Sequence, residues 1–306
     1  FSIGDLHVDA GVRWEHDRAT AWDGNQAAVN QPVPAGTAGV LTTVGSTWEG
    51  TYSVRKANKK AVAYTVGANY LITPNFSIYA RYANGFQMNN VDPITGIELY
   101  EAGLRYQMGR LISASATVFR TNFRNQNYNF ADPVNPSQQS NINADLGTNG
   151  VELNLNVRPI DAFSIDFQGV FQDPKLVNLA INGANQAGFE GNRPERTPAR
   201  LFTITPSYKL PNGLGEIYGR YKYIGKIYAD AGNGVALPSY GVTSVGASFN
   251  LSKQLQVSVN ADNIFNVIGL TEGNPRQGQT QAITNGYFYA RGIVGATYGG
   301  TITFKF

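Results

Sequence analysis

Several residue types are scarce in this chain of 306 residues. Cysteine is absent, histidine occurs twice, and charged residues make up 15% of the sequence. A cytosolic enzyme usually carries about a quarter charged residues, so the composition is atypical of that class. The lack of cysteine excludes a disulfide framework and fits an oxidising envelope compartment. The sequence also contains no run of about 18 apolar residues, and therefore offers no membrane-spanning helix.

Alternating apolar and polar residues are abundant. Side chains of a β-strand point to opposite faces in turn, so this period is typical of strands that are apolar on one face only. Near the end of the chain, Ile302, Phe304 and Phe306 share one face and the intervening residues share the other. The same pattern predicts about twelve strands, at 6–15, 61–72, 76–85, 100–108, 111–123, 151–157, 163–171, 201–210, 215–224, 240–251, 255–265 and 294–306.

The connections between these strands alternate in length. Every second connection is a turn of a few residues with Pro, Gly, Asn or Asp chemistry, such as 73–75 and 211–213. The others are long, at about 16–60, 86–98, 124–147, 173–199, 225–239 and 267–290. Short turns at one rim and long loops at the other are typical of outer-membrane barrels, and this pattern places the C-terminus at the short-turn rim.

The distribution of charge agrees with a membrane barrel. The predicted apolar faces carry no charge in mid-strand, where Arg or Lys would cost about 2–4 kcal/mol in a bilayer. Serine and threonine blur the two faces in 111–123 and 201–210, and a slip of one residue there exchanges them. The charged residues of the opposite face are Arg13, Arg81, Glu101, Arg105, Glu152, Arg158, Asp166, Glu216, Arg220, Lys222, Asp262 and Lys305.

We therefore predict an all-β fold, an antiparallel transmembrane outer-membrane β-barrel. The alternative is a large soluble β-sandwich with its polar side in water, which gives no reason for uniformly short turns at one rim. Aromatic residues at the strand ends are expected to form an interfacial girdle, although ordinary strand propensity also explains them. They are Tyr70, Phe76, Tyr106, Phe163 and Tyr208.

Several stretches resemble TonB-dependent outer-membrane receptors. They occur in order over essentially the whole chain, and their order and spacing are more specific than any one of them. The terminal aromatic strand ends on phenylalanine, as in that family. The other stretches are 9–15 (DAGVRWE), 66–75 (VGANYLITPN), 78–86 (IYARYANGF), 99–105 (LYEAGLR), 148–152 (TNGVE), 192–198 (NRPERTP) and 261–266 (ADNIFN).

The resemblance implies a larger protein. Receptors of this family have barrels of about 22 strands, plugged by a separate N-terminal domain. Residues 1–306 are then the C-terminal portion of one β-barrel domain, and the plug and the first strands are missing. The start at Phe1, with no methionine or signal peptide before the first strand, fits a cut through a longer chain.

The resemblance also implies partners and a location. The protein is expected in the outer membrane of a Gram-negative bacterium, among lipopolysaccharide. The TonB–ExbB–ExbD system would supply energy through the plug. The barrel-assembly machinery would read a terminal signal formed by Ile302, Phe304 and Phe306.

Catalytic, cofactor and metal sites have little support. His7 and His16 lie outside nucleophile motifs such as G-x-S-x-G, and each is expected to be a polar strand residue. The segment 230–234 lacks the spaced acidic ligands of a calcium loop, so we expect an ordinary glycine loop. We predict no catalytic residue, cofactor or bound metal, and the scattered Lys and Arg give no nucleic-acid footprint.

Ligand binding has better support. Loops seldom keep large aromatic residues unless these pack or bind, and the candidates are Phe86, Tyr128, Phe130, Tyr228, Tyr287 and Tyr289. Their alternative role is to pack the loops against each other or against the plug. Arg193, Arg196 and Arg276, with Arg291 nearby, are candidates to meet an anionic ligand. Their alternative partners are carboxylates of the chain or lipopolysaccharide phosphates.

The leading hypothesis is a TonB-dependent receptor that captures a scarce ligand at its extracellular loops and imports it with inner-membrane energy. The family favours a ferric siderophore. An oligosaccharide is a close second, because tyrosines among Asn and Gln suit sugar stacking. The alternative function is a passive porin or a barrel scaffold of an envelope assembly, with an open lumen and no plug. An outer-membrane enzyme ranks last, although the fold does not exclude it.

Overall fold

The computed structural model describes residues 1–30, 44–90, 92–131, 139–181, 184–185, 187–274 and 289–305. Its regular elements are strands and two short 3-10 turns, Ala187–Phe189 and Pro211–Gly213. Among the described residues, no helix is long and apolar enough to cross a membrane. The strands are β1 (Ser2–Ile3), β2 (Leu6–Asn30), β3 (Val44–Thr73), β4 (Phe76–Gln87), β5 (Thr95–Met108), β6 (Ile112–Ala131), β7 (Gln139–Ile160), β8 (Phe163–Ile181), β9 (Ala184–Asn185), β10 (Arg200–Leu210), β11 (Gly215–Ile224), β12 (Ile227–Tyr228), β13 (Ala236–Leu237), β14 (Tyr240–Asn250), β15 (Leu255–Asp262), β16 (Leu270–Asn274), β17 (Tyr289–Gly292) and β18 (Thr297–Phe304).

One large sheet contains all the long strands. Its path is β1-β2-β3-β4-β5-β6-β7-β8-β10-β11-β14-β15-β18, with β9 attached to β8. Every pairing within it is antiparallel and joins strands that follow each other along this path. The predicted all-β antiparallel architecture is confirmed, and each predicted strand coincides with a long strand of this sheet.

The register aligns the predicted apolar residues across the sheet. Ile78 pairs with Leu104, Leu104 with Ala116, and the row continues through Leu153. We call this side the apolar face. Its residues include Leu6, Val8, Ala10, Val66, Ala68, Ile78, Tyr82, Ala102, Leu104, Ala116, Val118, Leu153, Leu155, Phe167, Phe202, Ile204, Tyr221, Val245, Val257, Val259, Ile302 and Phe304.

The same register decides which residues of β6 and β10, the two strands with blurred alternation, lie on the apolar face. Val118 lies between Ala102 and Val151 on the apolar face of β6. On β10, Ile204 lies between Phe167 and Tyr221 on that face, so Thr203 lies on the other. Only pairing decides this, because serine and threonine are compatible with either face.

The opposite, polar face carries the charged residues predicted for it. Arg81 lies opposite Glu101 in the register of β4 and β5. The Arg105 guanidinium lies 4.4 Å from the ring centroid of Tyr79, whose hydroxyl is 2.5 Å from Thr117 Oγ1. Arg105, Tyr79 and Thr117 on this face thus find partners within the sheet.

Large apolar side chains on the apolar face remain uncovered. Val12 is 78% exposed and Ile302 is 75% exposed. Among the described residues, the clusters of buried apolar side chains lie at the long-loop rim, beyond the apolar face. A soluble sandwich would bury this face against a second sheet, whereas a lipid bilayer covers it without one. The structure therefore favours the membrane interpretation over the sandwich.

Aromatic residues mark both ends of the apolar face. Phe76 pairs with Tyr106, and Phe163 pairs with Tyr208, near the short turns. Toward the long loops, the Tyr82 ring centroid lies 5.7 Å from that of Tyr64 and 4.8 Å from that of Tyr100. These positions agree with the expected girdle at the turn rim and place a second row of tyrosines at the other.

The strands extend beyond their predicted ends on the loop side. Most of 16–60, predicted as a loop, is paired backbone that runs to Asn30 on β2 and resumes at Val44 on β3. Likewise, β6 and β7 remain paired as far as Ala131 and Gln139. The prediction was wrong there because a hairpin in water on both sides needs no apolar face, so no alternation marks it. At the other rim the predicted turns are present and tight.

The last two long strands are shorter than predicted. Strand β15 ends at Asp262 and β18 begins at Thr297. The chain leaves the sheet after Asp262 because Asn263 and Asn266 take left-handed conformations, each with φ of 50°. The backbone N–H of Lys305 donates to Gln254 O at 2.8 Å, which places the end of β18 at the short-turn rim, as predicted.

Candidate ligand-binding site at the long-loop rim

Two small apolar clusters hold the long loops together. Ala144, Leu176, Leu179 and Ala231 form one, and Phe189 packs against it. The other contains Ile227, Ala229, Val235 and Leu237, with Leu270 against it. Phe189 thus packs loop against loop. The long-loop rim is therefore a packed surface with two small apolar cores of its own.

A tight turn shapes the loop between β11 and β14. The Asp230 carboxylate accepts hydrogen bonds from the backbone N–H of Gly234 at 3.0 Å and of Val235 at 2.6 Å. Asn233 takes the left-handed conformation, with φ of 58°. Both carboxylate oxygens of Asp230 therefore accept hydrogen bonds from backbone N–H groups, in agreement with an ordinary glycine loop.

Asn233 fastens this turn to the segment 192–198. Its Nδ2 donates to Arg193 O at 2.8 Å, and its Oδ1 accepts from the Arg193 backbone N–H at 3.0 Å. Asn192 Nδ2 also donates to Ala231 O at 3.0 Å. The backbone on both sides of the Arg193 side chain is fixed, which lowers the entropy lost when a ligand orders that side chain.

Arg193, Tyr228 and Lys226 meet at the surface of this assembly. The Arg193 guanidinium carbon lies 5.8 Å from the Tyr228 ring centroid, and Lys226 Nζ lies 4.8 Å from it. Arg193 Nη1 reaches Lys226 O at 3.5 Å, while the buried Arg193 Nε has no hydrogen-bond acceptor. An unpaired buried donor costs free energy. An acceptor supplied by a ligand would therefore be favourable at Arg193 Nε.

Two other arginines, Arg196 and Arg291, share the carboxylate of Glu272. Arg196 Nη1 lies 3.0 Å from Glu272 Oε2, and Arg291 Nη1 lies 3.3 Å from Glu272 Oε1. Glu272 is on β16 and Arg291 on β17, so the pair ties this hairpin to the segment that contains Arg196. The backbone N–H of Arg196 also donates to Tyr228 O at 2.9 Å, which joins the two groups of side chains.

We call Arg193, Arg196, Lys226, Tyr228 and Arg291 the basic cluster. Glu195 lies beside it, and burial raises the pKa of its carboxyl to about 7, with Arg196 opposing and Asp230 adding to that effect. A fraction of the Glu195 carboxyls is therefore protonated near pH 7. Glu195 then compensates less of the positive charge of the basic cluster. The arrangement suits binding of an anion and presents an aromatic face beside it.

Phe86 lies in a different part of the rim. It is the last but one residue of β4, and β5, β6 and β7 lie between β4 and β8 along the sheet, whereas the first residues of the basic cluster follow β8. Its ring lies 5.0 Å from the Arg13 guanidinium carbon. Lys59 Nζ donates to the carbonyls of Asn89 and Asp92 just beyond β4. The aromatic ring therefore packs on a cation of the chain itself.

The other predicted ligand-binding residues cannot be placed in full. Tyr128 and Phe130 are on β6, where their backbones pair with Ile142 and Ser140. Tyr289 opens β17. The side chains of these three, and all of Arg276, Tyr287 and the terminal Phe306, lie outside the described residues. For all six, a role in binding or assembly stays a prediction.

Sequence reasoning missed Lys226, Glu272 and Asn233. Each is in a segment predicted only as a loop, and none belongs to a recognisable motif. Their proximity to Arg193 and Arg196 depends on how separate loops pack, which no local pattern carries. Each histidine has a polar partner on the adjoining strand: His7 Nδ1 lies 2.7 Å from Ser2 Oγ, and His16 Nε2 lies 2.6 Å from Asn58 Oδ1.

The antiparallel sheet, with its uncovered apolar face and its packed loop rim, has the features of part of an outer-membrane β-barrel. The profile described as "TonB dependent receptor-like, beta-barrel" matches residues 1–264, and the chain belongs to this family. Members of the family are receptors of the outer membrane, not enzymes.

Known proteins agree with this assignment. The chain is 23% identical over 289 residues to the "Probable TonB-dependent siderophore receptor PiuA" of Acinetobacter baumannii, covering 84% of this chain and 35% of that protein. It is 22% identical over 272 residues to the "Pesticin receptor" of Yersinia enterocolitica, covering 84% of this chain and 36% of that protein. The chain thus spans about a third of the length of the curated relatives it matches.

A solved structure shares the fold. The ferric yersiniabactin uptake receptor FyuA from Yersinia pestis superposes with a TM-score of 0.73 at 19% identity. The superposition covers 99% of this chain and 44% of the other. The chain therefore corresponds to less than half of that protein.

Proposed function

We propose that this chain is the C-terminal part of a receptor barrel that takes up a ferric siderophore in a TonB-dependent manner. The basic cluster carries the proposal, because it places four cations and a tyrosine on loops that are fixed to each other. The names of the similar proteins, a siderophore receptor and a ferric yersiniabactin uptake receptor, support this class of ligand. Ferric siderophores that carry carboxylates or catecholates have a net negative charge, which the cluster complements.

The open sheet supports a larger barrel. The free edges of β2 and β18 expose backbone N–H and C=O groups, apart from the pairing of β1 with residues 6–7. Unpaired backbone groups in lipid cost several kcal/mol each. Further strands that join the two edges would satisfy them. We infer that these strands, and the plug, belong to the rest of the protein.

The remaining parts of the proposal concern partners. Energy for import would come from the TonB–ExbB–ExbD system acting on the plug. The barrel-assembly machinery would recognise the terminal strand, on which Ile302 and Phe304 are exposed on the apolar face. The chain itself binds and conducts its ligand, and performs no chemistry on it.

Charge removal at the rim tests this function. In the full-length receptor, the variant Arg193→Gln/Arg196→Gln/Arg291→Gln should lower uptake of an anionic ferric siderophore at least tenfold in iron-starved cells. Arg276→Gln, added as a fourth change, should lower it further. Arg110→Gln/Lys209→Gln/Lys253→Gln is the matched control, since it removes three cations at the turn rim. Its uptake should equal that of the wild type at equal surface levels.

The same variants separate the two ligand classes. If an oligosaccharide is the ligand, uptake of the sugar should survive loss of the arginines and fall with Tyr228→Ala. Unchanged uptake of the anionic iron complex in the arginine variant would refute the charge-based proposal.

A further inference from the structure

The carboxylate of Glu272 lies between two arginines of the basic cluster. Its Oε2 is 3.0 Å from Arg196 Nη1, and its Oε1 is 3.3 Å from Arg291 Nη1. Each oxygen therefore meets a different guanidinium group, and the two groups come from separate segments of the chain. Guanidinium groups bind the carboxylates of ligands through the same charge-assisted hydrogen bonds. Glu272 thus makes the contacts that a carboxylate of a bound ligand would make.

An irregularity of the β16–β17 hairpin places Glu272 beside Arg291. The register shifts after Leu270, so that Glu272 pairs with Arg291 and Thr271 is the extra residue. The Thr271 hydroxyl donates to Arg291 O at 3.1 Å. A bulge of this kind re-aims the neighbouring side chain. The local backbone therefore fixes the position of Glu272 within the hairpin.

Arg196 is held in place through its own backbone. It takes the left-handed conformation, with φ of 58°, which is uncommon for a residue with a long side chain. Its backbone N–H donates to Tyr228 O at 2.9 Å. A strained conformation of this kind persists where the surrounding structure imposes it, and it is frequent at ligand-binding sites. The backbone of Arg196 is therefore placed by contacts that do not involve Glu272.

The β16–β17 hairpin also has anchors other than Glu272. Leu270 packs against the apolar cluster of the loop between β11 and β14. At the base of the hairpin, the backbone N–H of Ile293 donates to Gly269 O at 2.8 Å. The hairpin and the segment that contains Arg196 are therefore each fixed without the ion pairs of Glu272, and a purely structural tie at this position would add little.

Both arginines are open to solvent. The side chain of Arg196 is 52% exposed and that of Arg291 is 75% exposed, whereas that of Glu272 is 28% exposed. Exposed ion pairs contribute little to stability, because water and salt screen them and the side chains lose freedom in forming them. An incoming anion can therefore reach both guanidinium groups and exchange with Glu272 at small cost in stability.

The charge near Glu272 favours an anion with several negative groups. Lys226 Nζ lies 4.8 Å from the Tyr228 ring centroid, and the Arg193 guanidinium carbon lies 5.8 Å from it. The hydrogen bond from Arg196 to Tyr228 O joins these cations to the arginine pair. A ligand carboxylate that replaces Glu272 exchanges one negative charge for another. The gain from the exchange therefore comes from further negative groups that meet Lys226 or Arg193.

We propose that Glu272 is an internal anion that occupies the Arg196–Arg291 pair until a ligand with two or more carboxylates displaces it. One carboxylate of the ligand takes the position of the Glu272 carboxylate, and another meets Lys226 or Arg193. Glu272 is then a specificity-determining residue that selects polycarboxylates over neutral or singly charged ligands. The proposal rests on the proposed function, because it assigns how the basic cluster selects its ligand, but it does not depend on iron.

Binding of tricarballylate, a metal-free tricarboxylate, to the purified full-length receptor tests this role. Glu272→Gln keeps the size of the side chain and removes its charge, so the probe no longer competes with an internal carboxylate. Its Kd, measured by isothermal titration calorimetry in detergent, should fall about fivefold, the equivalent of one exposed ion pair. The uncharged triamide of the probe should bind neither protein. If Glu272 only tied the loops into shape, the same variant would bind tricarballylate more weakly.

Two further comparisons make the result decisive. Glu98→Gln is the matched control, since Glu98 also pairs with an arginine, Arg124 at 3.0 Å, but lies on β5, and its Kd should equal that of the wild type. In an Arg196→Gln/Arg291→Gln background, Glu272→Gln should give no gain, because the arginine pair that it frees is absent. Equal or weaker binding by Glu272→Gln than by the wild type, including no binding by either, would overturn the proposal. A gain that persists without the two arginines would do the same.

Siderophore uptake by cells that carry the same proteins separates this inference from the proposed function. If Glu272→Gln binds tricarballylate more tightly but the cells import no anionic iron complex, the role of Glu272 stands and the uptake proposal fails. If loss of the arginines lowers uptake as proposed but Glu272→Gln gains no affinity for tricarballylate, the role of Glu272 alone fails.

Discussion

Asn263 and Val294 are joined by a hydrogen bond of 3.1 Å from the side-chain Nδ2 to the backbone carbonyl, across 31 residues of chain. The same Asn263 also donates to Val267 O at 2.9 Å and accepts from the Val267 backbone N–H at 2.8 Å. It is 3% exposed. The side chain therefore closes the turn after β15 and holds the approach to β18 against it.

Replacing Asn263 should weaken the end of the barrel. Asn263→Ala loses three hydrogen bonds, leaves buried backbone groups unpaired, and places Ala at a φ of 50°. We expect a loss of about 2–4 kcal/mol in the free energy of unfolding, measured by urea unfolding of the full-length receptor in liposomes. Asn212→Ala is the control, with φ of 55° in an exposed turn, and should cost about 1 kcal/mol. Similar losses for both would show that the bonds of Asn263 contribute little.

Two adjacent residues of β10 test the face assignment. Ile204 is on the apolar face and Thr203 on the polar face at nearly the same depth. Ile204→Arg should destabilise the folded receptor by about 2–4 kcal/mol, because a guanidinium in lipid loses its hydration. Thr203→Arg should cost much less. Unfolding in liposomes measures both, and a larger cost at position 203 would reverse the assigned faces.

The buried carboxyl of Glu195 should make the loop packing depend on pH. Burial raises its pKa from 4.5 to about 7, so the packed loop favours the protonated form. This contribution to stability is complete below about pH 4.5 and is lost as the pH rises through about 7. Amides of 187–199 should therefore be better protected from hydrogen exchange at about pH 5 than at about pH 8, after correction for intrinsic rates.

Glu195→Gln should remove that difference, since glutamine stays neutral at both pH values. Glu216→Gln, at the turn rim, should leave it unchanged. A pH dependence that persists in Glu195→Gln would assign the effect to another group.

The terminal phenylalanine is predicted to aid assembly. Deletion of Phe306, or Phe306→Ser, should lower insertion into the outer membrane severalfold, because the final aromatic residue is expected to form part of the signal on the last strand. Lys305→Ser should have a smaller effect. Heat-modifiable migration of membrane fractions measures folded protein, and equal insertion of the two variants would count against a role for Phe306.

The sequence by itself determined the strands and their apolar sides wherever lipid imposes alternation. In β2, β3 and β4, the residues from Leu6 to Trp14, Val62 to Ile72 and Phe76 to Tyr82 have the faces that period 2 predicted. The sequence also placed the C-terminus at the short-turn rim, because turn residues such as Pro74 and Asn75 have local conformational preferences that mark the short turns. These properties depend on neighbouring residues only.

Only the tertiary structure decided the strand extensions and the loop contacts, which the alternation of apolar and polar residues does not encode. Beyond the membrane both faces meet water, so the extension of β2 and β3 past the predicted ends has no signature and follows only from continued backbone pairing. The meeting of Arg196 with Glu272 depends on the packing of separate loops around small apolar clusters. Long-range contacts of this kind arise from the arrangement of the whole sheet, since it brings together side chains whose own neighbours in sequence give no reason to pair.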